Sequence, residues 1–165
     1  MKIDLFLTTC FSHETDNFSI DDEQPAMVVP FKEGIADVEN TNNWNIYFVP
    51  LDKNFICYKP DGKDEESLCD VLLICVRPQE RYDFYFVELK SKQKSRSEKG
   101  IEQLKTTIDI FKDDYPSLLS CLAKKRAFLV NQQHPFFQYN QTEKYEKFHK
   151  ETRFRLIICA TIPIK

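Results

Sequence analysis

Two consecutive runs, VLLICV at 71–76 and YDFYFVEL at 82–89, are apolar almost without a break and rich in β-branched and aromatic residues. Runs of this length, bounded by turn residues, form buried strands rather than helices. The polar segment of Pro78, Gln79, Glu80 and Arg81 lies between them, and it predicts that they pair as a hairpin at the centre of a sheet. Against that background Glu88 and Lys90 stand out. They lie two residues apart, so the strand period puts both on one face, with Val87 and Leu89 on the other.

The neighbouring segments extend the same pattern. Residues 44–62 hold two β-rich runs around Asp52, Lys53 and Asn54, closed by a Pro60-Asp61-Gly62 turn, and predict a further hairpin. After Lys90, Ser95 and Glu98 have the spacing of a capping box. Ile101, Leu104, Ile108 and Phe111 then recur at helical spacing until Tyr115 and Pro116 stop the helix. Residues 125–131 predict another strand, 143–151 an exposed basic helix or loop, and 154–162 a closing strand. Residues 12–45 lack clean periodicity and read as a short helix, loops or both. Strands, then a helix, then more strands predict an α/β fold with a mixed sheet and helices layered against it.

Composition bounds the function classes. A chain of 165 residues, 42% apolar, suffices for one domain over 1–165 and is short for two. No apolar run approaches the ~20 residues of a spanning helix. MKIDLFLTTCF is interrupted by Asp4 and lacks the features of a signal peptide. The expectation is a cytoplasmic protein without membrane association. Cysteines at 10, 57, 69, 75, 121 and 159 form no CxxC pair, and most sit in apolar runs, so they read as reduced core thiols rather than a disulfide or zinc framework. The net charge of −3 hides an imbalance: residues 1–70 carry 5 Lys and Arg against 15 Asp and Glu (net −10), residues 71–165 carry 18 against 11 (net +7). A basic second half suits a polyanionic partner, although solvated faces of different sign give the same totals.

The hairpin gives Glu88 and Lys90 company. Asp70 opens the first strand, and in an antiparallel pair the start of one strand lies beside the end of the next. Asp70, Glu88 and Lys90 are therefore expected at one edge of the sheet. Two carboxylates offer hard oxygen ligands to Mg²⁺, which binds through one or two carboxylates together with substrate phosphate oxygens. Such an ion activates water and neutralises charge on phosphate, while a neighbouring lysine orients the water and stabilises the transition state. That chemistry is phosphodiester hydrolysis.

These residues resemble the signature of the PD-(D/E)XK nuclease superfamily: an acid on one core strand, (D/E)-X-K on the next, then a helix that in many members carries glutamine. Asp70 matches the first acid, Glu88-Leu89-Lys90 the tripeptide, and Gln103 the helix glutamine. The likeness covers residues 46–131, about half the chain, and implies an αβββαβ restriction-endonuclease-like core, here with an extra C-terminal strand. It implies metal ligation of Mg²⁺ or Mn²⁺ by Asp70, Glu88 and the Leu89 carbonyl, with Lys90 positioning the attacking water and Gln103 in support. Gln103 reads equally as an ordinary helix-surface residue. The proline usual before the first acid is Cys69 here. Many members add a glutamate from an N-terminal helix; Glu14, Glu23 and Glu33 are candidates, Glu33 first because it lies closest to the hairpin.

The basic residues Lys92, Lys94, Arg96 and Lys99, with Lys124, Lys125 and Arg126, read either as phosphate contacts or as solvated surface. His134 and His149 have no paired spacing and read as structural or surface histidines, and 134–140 holds aromatics suited either to stacking or to the core. The expected activity is divalent-metal-dependent hydrolysis of nucleic acid, DNA first, by a homodimer or a subunit of a larger assembly such as a bacterial defence or repair complex. The alternative is a catalytically silent member of that fold acting as a binding or regulatory subunit.

Overall fold

The computed structural model describes residues 12–14, 18–21, 35–52, 66–90, 94–131 and 142–165, with the backbone alone for 12–14, 18–21, 35, 80 and 94–97. The two apolar runs form β5 (Val71–Arg77) and β6 (Arg81–Leu89). They pair antiparallel, from Val71 opposite Val87 to Arg77 opposite Arg81. The tight connection is a 3₁₀ turn over Pro78–Glu80, in which proline supplies the first φ and Gln79 takes a left-handed φ of 66°.

Around this hairpin a six-stranded sheet runs in the order β1-β4-β5-β6-β7-β8. β1 (Ser12–Glu14) and β4 (Asn45–Pro50) continue it antiparallel on one side. β7 (Leu122–Val130) and β8 (Arg155–Cys159) continue it parallel on the other. Parallel neighbours need crossovers, and helices supply them: α1 (Lys94–Asp114) and the short α2 (Pro116–Ser120) between β6 and β7, α3 (Thr142–Thr152) between β7 and β8.

A second sheet, in the order β2-β3-β9, holds β2 (Phe18–Asp21), β3 (Ile35–Asn40) and β9 (Thr161–Ile164). The central hairpin is thus covered twice. Leu72, Ile74, Phe84 and Phe86 pack under Leu104, Ile108 and Phe111 of α1 and Phe148 of α3. Leu73, Tyr85 and Val87 pack against Ala36 and Val38 of β3 and Ile162 and Ile164 of β9. Burial on both faces explains why these strands read as unbroken apolar runs instead of alternating ones. Phe86 sits at the centre of the helix layer, edge-on to Phe111 at 5.1 Å and to Phe154 at 5.4 Å.

Several expectations change. The closing strand at 154–162 is two strands in different sheets, broken at Ala160, so the single extra C-terminal strand is replaced by β8 and β9. Pro163, which has no N–H to give, is tolerated in β9 because that strand lies at an edge of its sheet. The described parts of residues 12–45 are short strands and, at 41–44, a turn, with no helix among them. α1 already includes Ser95, beginning at Lys94, and β7 starts earlier than expected, at Leu122. Residues 53–65, which include the second arm of the predicted hairpin, lie outside the described residues, as do Glu23, Glu33, Lys92, His134 and the aromatic segment that follows it. Cys69 and Cys75 are buried free thiols and Cys159 a half-buried one, whereas Cys121 is exposed. Among the described residues no helix is long and apolar enough to cross a membrane.

Candidate active site

The helix-covered face of the β5–β6 hairpin ends in charge. Asp70 immediately precedes β5 and therefore stands across from Glu88, the neighbour of Val87 in the register. Its carbonyl accepts from the Leu51 amide at 2.8 Å, and its carboxylate Oδ2 accepts from the Leu89 amide at 2.6 Å. A side chain thus takes the last donor of β6 where the backbone ladder stops.

Glu88 is 1% exposed. Its Oε1 is paired with the Lys90 ammonium, while its buried Oε2 has no hydrogen-bond partner among the described residues. Burial first, and then the charge of Asp70, push its pKa up to about 8 against the opposing pull of Lys90. The Lys90 ammonium also donates to Gln103 Oε1 at 3.1 Å, and Gln103 Nε2 donates to the Leu68 carbonyl at 3.1 Å. Gln103 therefore bridges the lysine and the segment leading into Asp70.

One turn further along α1, fully buried Thr107 accepts from the Cys69 amide at 2.8 Å and donates to the Gln103 carbonyl at 2.8 Å. The Cys69 thiol is held well above the ordinary range by burial and by the charges of Glu88 and Asp70, so it is not a thiolate. α1 itself comes very close at Gly100, where a Cβ would stand 2.7 Å from Lys90 Cε and 3.2 Å from Glu88 Cγ.

Asp70, Glu88, Lys90 and Gln103 are therefore neighbours. The basic residues are not all so placed. Lys124 and Arg126 lie opposite Asp83 and Tyr85 in the register, whereas Glu88 lies opposite Leu129. Five strand residues separate Lys124 from the position opposite Glu88 and three separate Arg126 from it, about 16 Å and about 10 Å at 3.3 Å per residue. A parallel strand begins beside the beginning of its neighbour, so the start of β7 is at the wrong end of β6 for this site. Arg126 instead covers the Tyr85 ring at 5.5 Å, and Lys124 bonds the Lys165 carbonyl. Lys99 is exposed near the start of α1, and the side chains of Lys94 and Arg96 lie outside the described residues. His149 is exposed, with Nδ1 3.2 Å from the Phe154 carbonyl oxygen.

Gly100, Thr107 and the Leu68 carbonyl did not emerge from the sequence. Only Gly100 left a signal, as a glycine inside a helical pattern, which points to close packing. No family model, curated protein or solved structure matches the chain. Its function is therefore read from these side chains.

The donor set fits a hard divalent cation of low protein coordination. Among the described residues no group of three or more His, Cys, Asp and Glu side chains gathers to hold a metal. Mg²⁺, however, keeps several waters and takes only one or two carboxylates. Asp70 and Glu88 supply two, and the unpartnered Glu88 Oε2 is a buried acceptor that a cation would satisfy.

Proposed function

We propose that the protein is a metal-dependent nuclease of the PD-(D/E)XK type, hydrolysing phosphodiester bonds of nucleic acid, DNA first. The observation that carries the reading is the convergence of Asp70, Glu88, Lys90 and Gln103 at one end of the central hairpin, with Glu88 buried and one of its oxygens unpartnered. The order of three antiparallel strands, a helix and a strand parallel to the third supports it as well.

Asp70, Glu88 and the Leu89 carbonyl would hold Mg²⁺ or Mn²⁺. When bound, such an ion supplies Lewis acidity toward phosphate and water. The chain's own residues do the positioning. Asp70, tethered by the Leu89 amide, fixes the end of β6 relative to the start of β5. Lys90, held by Glu88 and Gln103, presents a compact positive charge that orients the attacking water and offsets charge developing on the phosphate. Gln103, anchored on Leu68, limits where that ammonium can point. Lys92, Lys94, Arg96 and Lys99 follow the tripeptide and would contribute sequence-independent phosphate contacts.

A silent, binding-only member of this fold is the rival. It is favoured by the absence of a third metal-gathering acid among the described residues. The two readings part in one experiment: incubation with plasmid and single-stranded DNA in Mg²⁺, Mn²⁺ or EDTA, alongside Glu88→Ala and Lys90→Ala. Cleavage that needs the metal and disappears in both variants supports the nuclease. Equal background in every sample supports the silent subunit.

A further inference from the structure

The chain has 3 glycines, and one of them, Gly100, occupies the interior of the 21-residue α1. Glycine there is unfavourable relative to alanine. Its backbone is helical, so conformational freedom does not explain it; space does. A Cβ would lie 2.7 Å from Lys90 Cε, 2.7 Å from Leu129 Cδ1 and 3.2 Å from Glu88 Cγ.

We infer that Gly100 is a positioning residue for Lys90: by omitting a side chain it lets α1 press on the lysine stem and hold the ammonium between Glu88 and Gln103. A free lysine is among the side chains with the most rotamer entropy to lose. Contact at Cε restrains the chain up to its last bond, and the ammonium is left to choose between partners already in place. The catalytic consequence rests on the nuclease reading; the contact itself does not.

Both atoms that an added methyl would strike first are ends of side chains, Lys90 Cε and Leu129 Cδ1, not backbone. Gly100→Ala therefore separates the fold from the site. The helix gains propensity, while Lys90 must move. Leu129→Val removes the Cδ atoms and gives the methyl somewhere to go.

The experiment compares the full chain with Gly100→Ala and with Gly100→Ala/Leu129→Val. Expected for Gly100→Ala are an unchanged or raised melting temperature and loss of the nuclear Overhauser contact between the Lys90 Hε protons and the Gln103 side-chain amide. Metal-dependent kcat should fall by about tenfold or more, with KM for DNA within about twofold, as for a misplaced catalytic group. The double variant should regain part of kcat and of the contact. A folded Gly100→Ala protein that keeps the Lys90–Gln103 contact overturns the inference. Failure of both variants to fold also overturns it, because the glycine would then serve the helix–sheet packing as a whole. If Gly100→Ala alone fails to fold, the double variant is decisive: a weakened Lys90–Gln103 contact with reduced kcat supports the clamp, and an undisturbed contact with full kcat overturns it, because alanine at 100 would then leave the lysine in place. A wild-type chain that cleaves nothing, but whose contact is lost in Gly100→Ala, sustains the clamp and removes the nuclease reading.

Discussion

The Asp70 carboxylate accepts a 2.6 Å hydrogen bond from the backbone amide of Leu89, the residue between Glu88 and Lys90. This bond ties the two halves of the candidate site together without using the side chain of Glu88 or of Lys90. It also separates two roles of Asp70, as a local clamp and as a charge.

Asparagine keeps an oxygen acceptor for the Leu89 amide and loses the negative charge, whereas alanine loses both. Asp70→Asn should stay within about 1 kcal/mol of the wild type, and Asp70→Ala should lose roughly 1–3 kcal/mol by stranding a partly buried donor. Cleavage should be lost in both. Urea denaturation and a plasmid-nicking assay run side by side check this, and a fully active Asp70→Asn protein would contradict the charge role.

The raised pKa of Glu88 sets a pH dependence. In the unfolded chain the group titrates near 4.5 and in the fold near 8, so the folded state holds the proton more tightly. Its favourable contribution is fully present below the unfolded value and is lost as pH rises through the folded one. In EDTA, Glu88→Gln should therefore gain stability relative to the wild type as pH climbs from about 4.5 to about 8. Melting curves across that range test it; parallel curves for the two proteins would show that Glu88 titrates normally.

A cation shared by Asp70 and Glu88 would bind the fold and not the unfolded chain. At a hundredfold excess over its dissociation constant it would stabilise by about 2.7 kcal/mol. Mn²⁺ should therefore raise the melting temperature of the wild type, with little effect on Asp70→Asn or Glu88→Gln, and EDTA should reverse the rise. A shift that survives in both variants would place the ion elsewhere.

The buried Cys69 amide donates to Thr107 Oγ1 at 2.8 Å. Thr107→Val preserves shape and removes the acceptor, which should cost about 1–3 kcal/mol. Hydrogen exchange at Cys69 and Asp70 should accelerate more than at Phe86 in the sheet centre. Uniform acceleration would mean that the substitution loosens the whole fold instead of the segment that carries Asp70.

Legibility divides along physical lines. The β5–β6 hairpin could be read because both strands are continuous apolar runs joined by a short turn, and antiparallel register then brings Asp70 beside Glu88. The second sheet could not. Its β3 and β9 pair parallel between residues far apart in the chain, which leaves no local signal. Whether Lys124, Lys125 and Arg126 contact phosphate or only solvent stayed open for a related reason: closeness in sequence to a strand does not say which end of a parallel neighbour it meets. Gln103 was found as a motif position, but its two hydrogen bonds depend on how α1 is laid down.

By itself, the order of residues determined that Asp70, Glu88 and Lys90 share one face at one end of a central hairpin, because strand period and turn length are local properties. Only the tertiary structure decided how deeply Glu88 is buried, which of its oxygens is paired, and how Gly100, Gln103 and Thr107 reach across from the helix. Those depend on the distance between a helix and a sheet, which is set by packing of the whole layer and is written in no single segment.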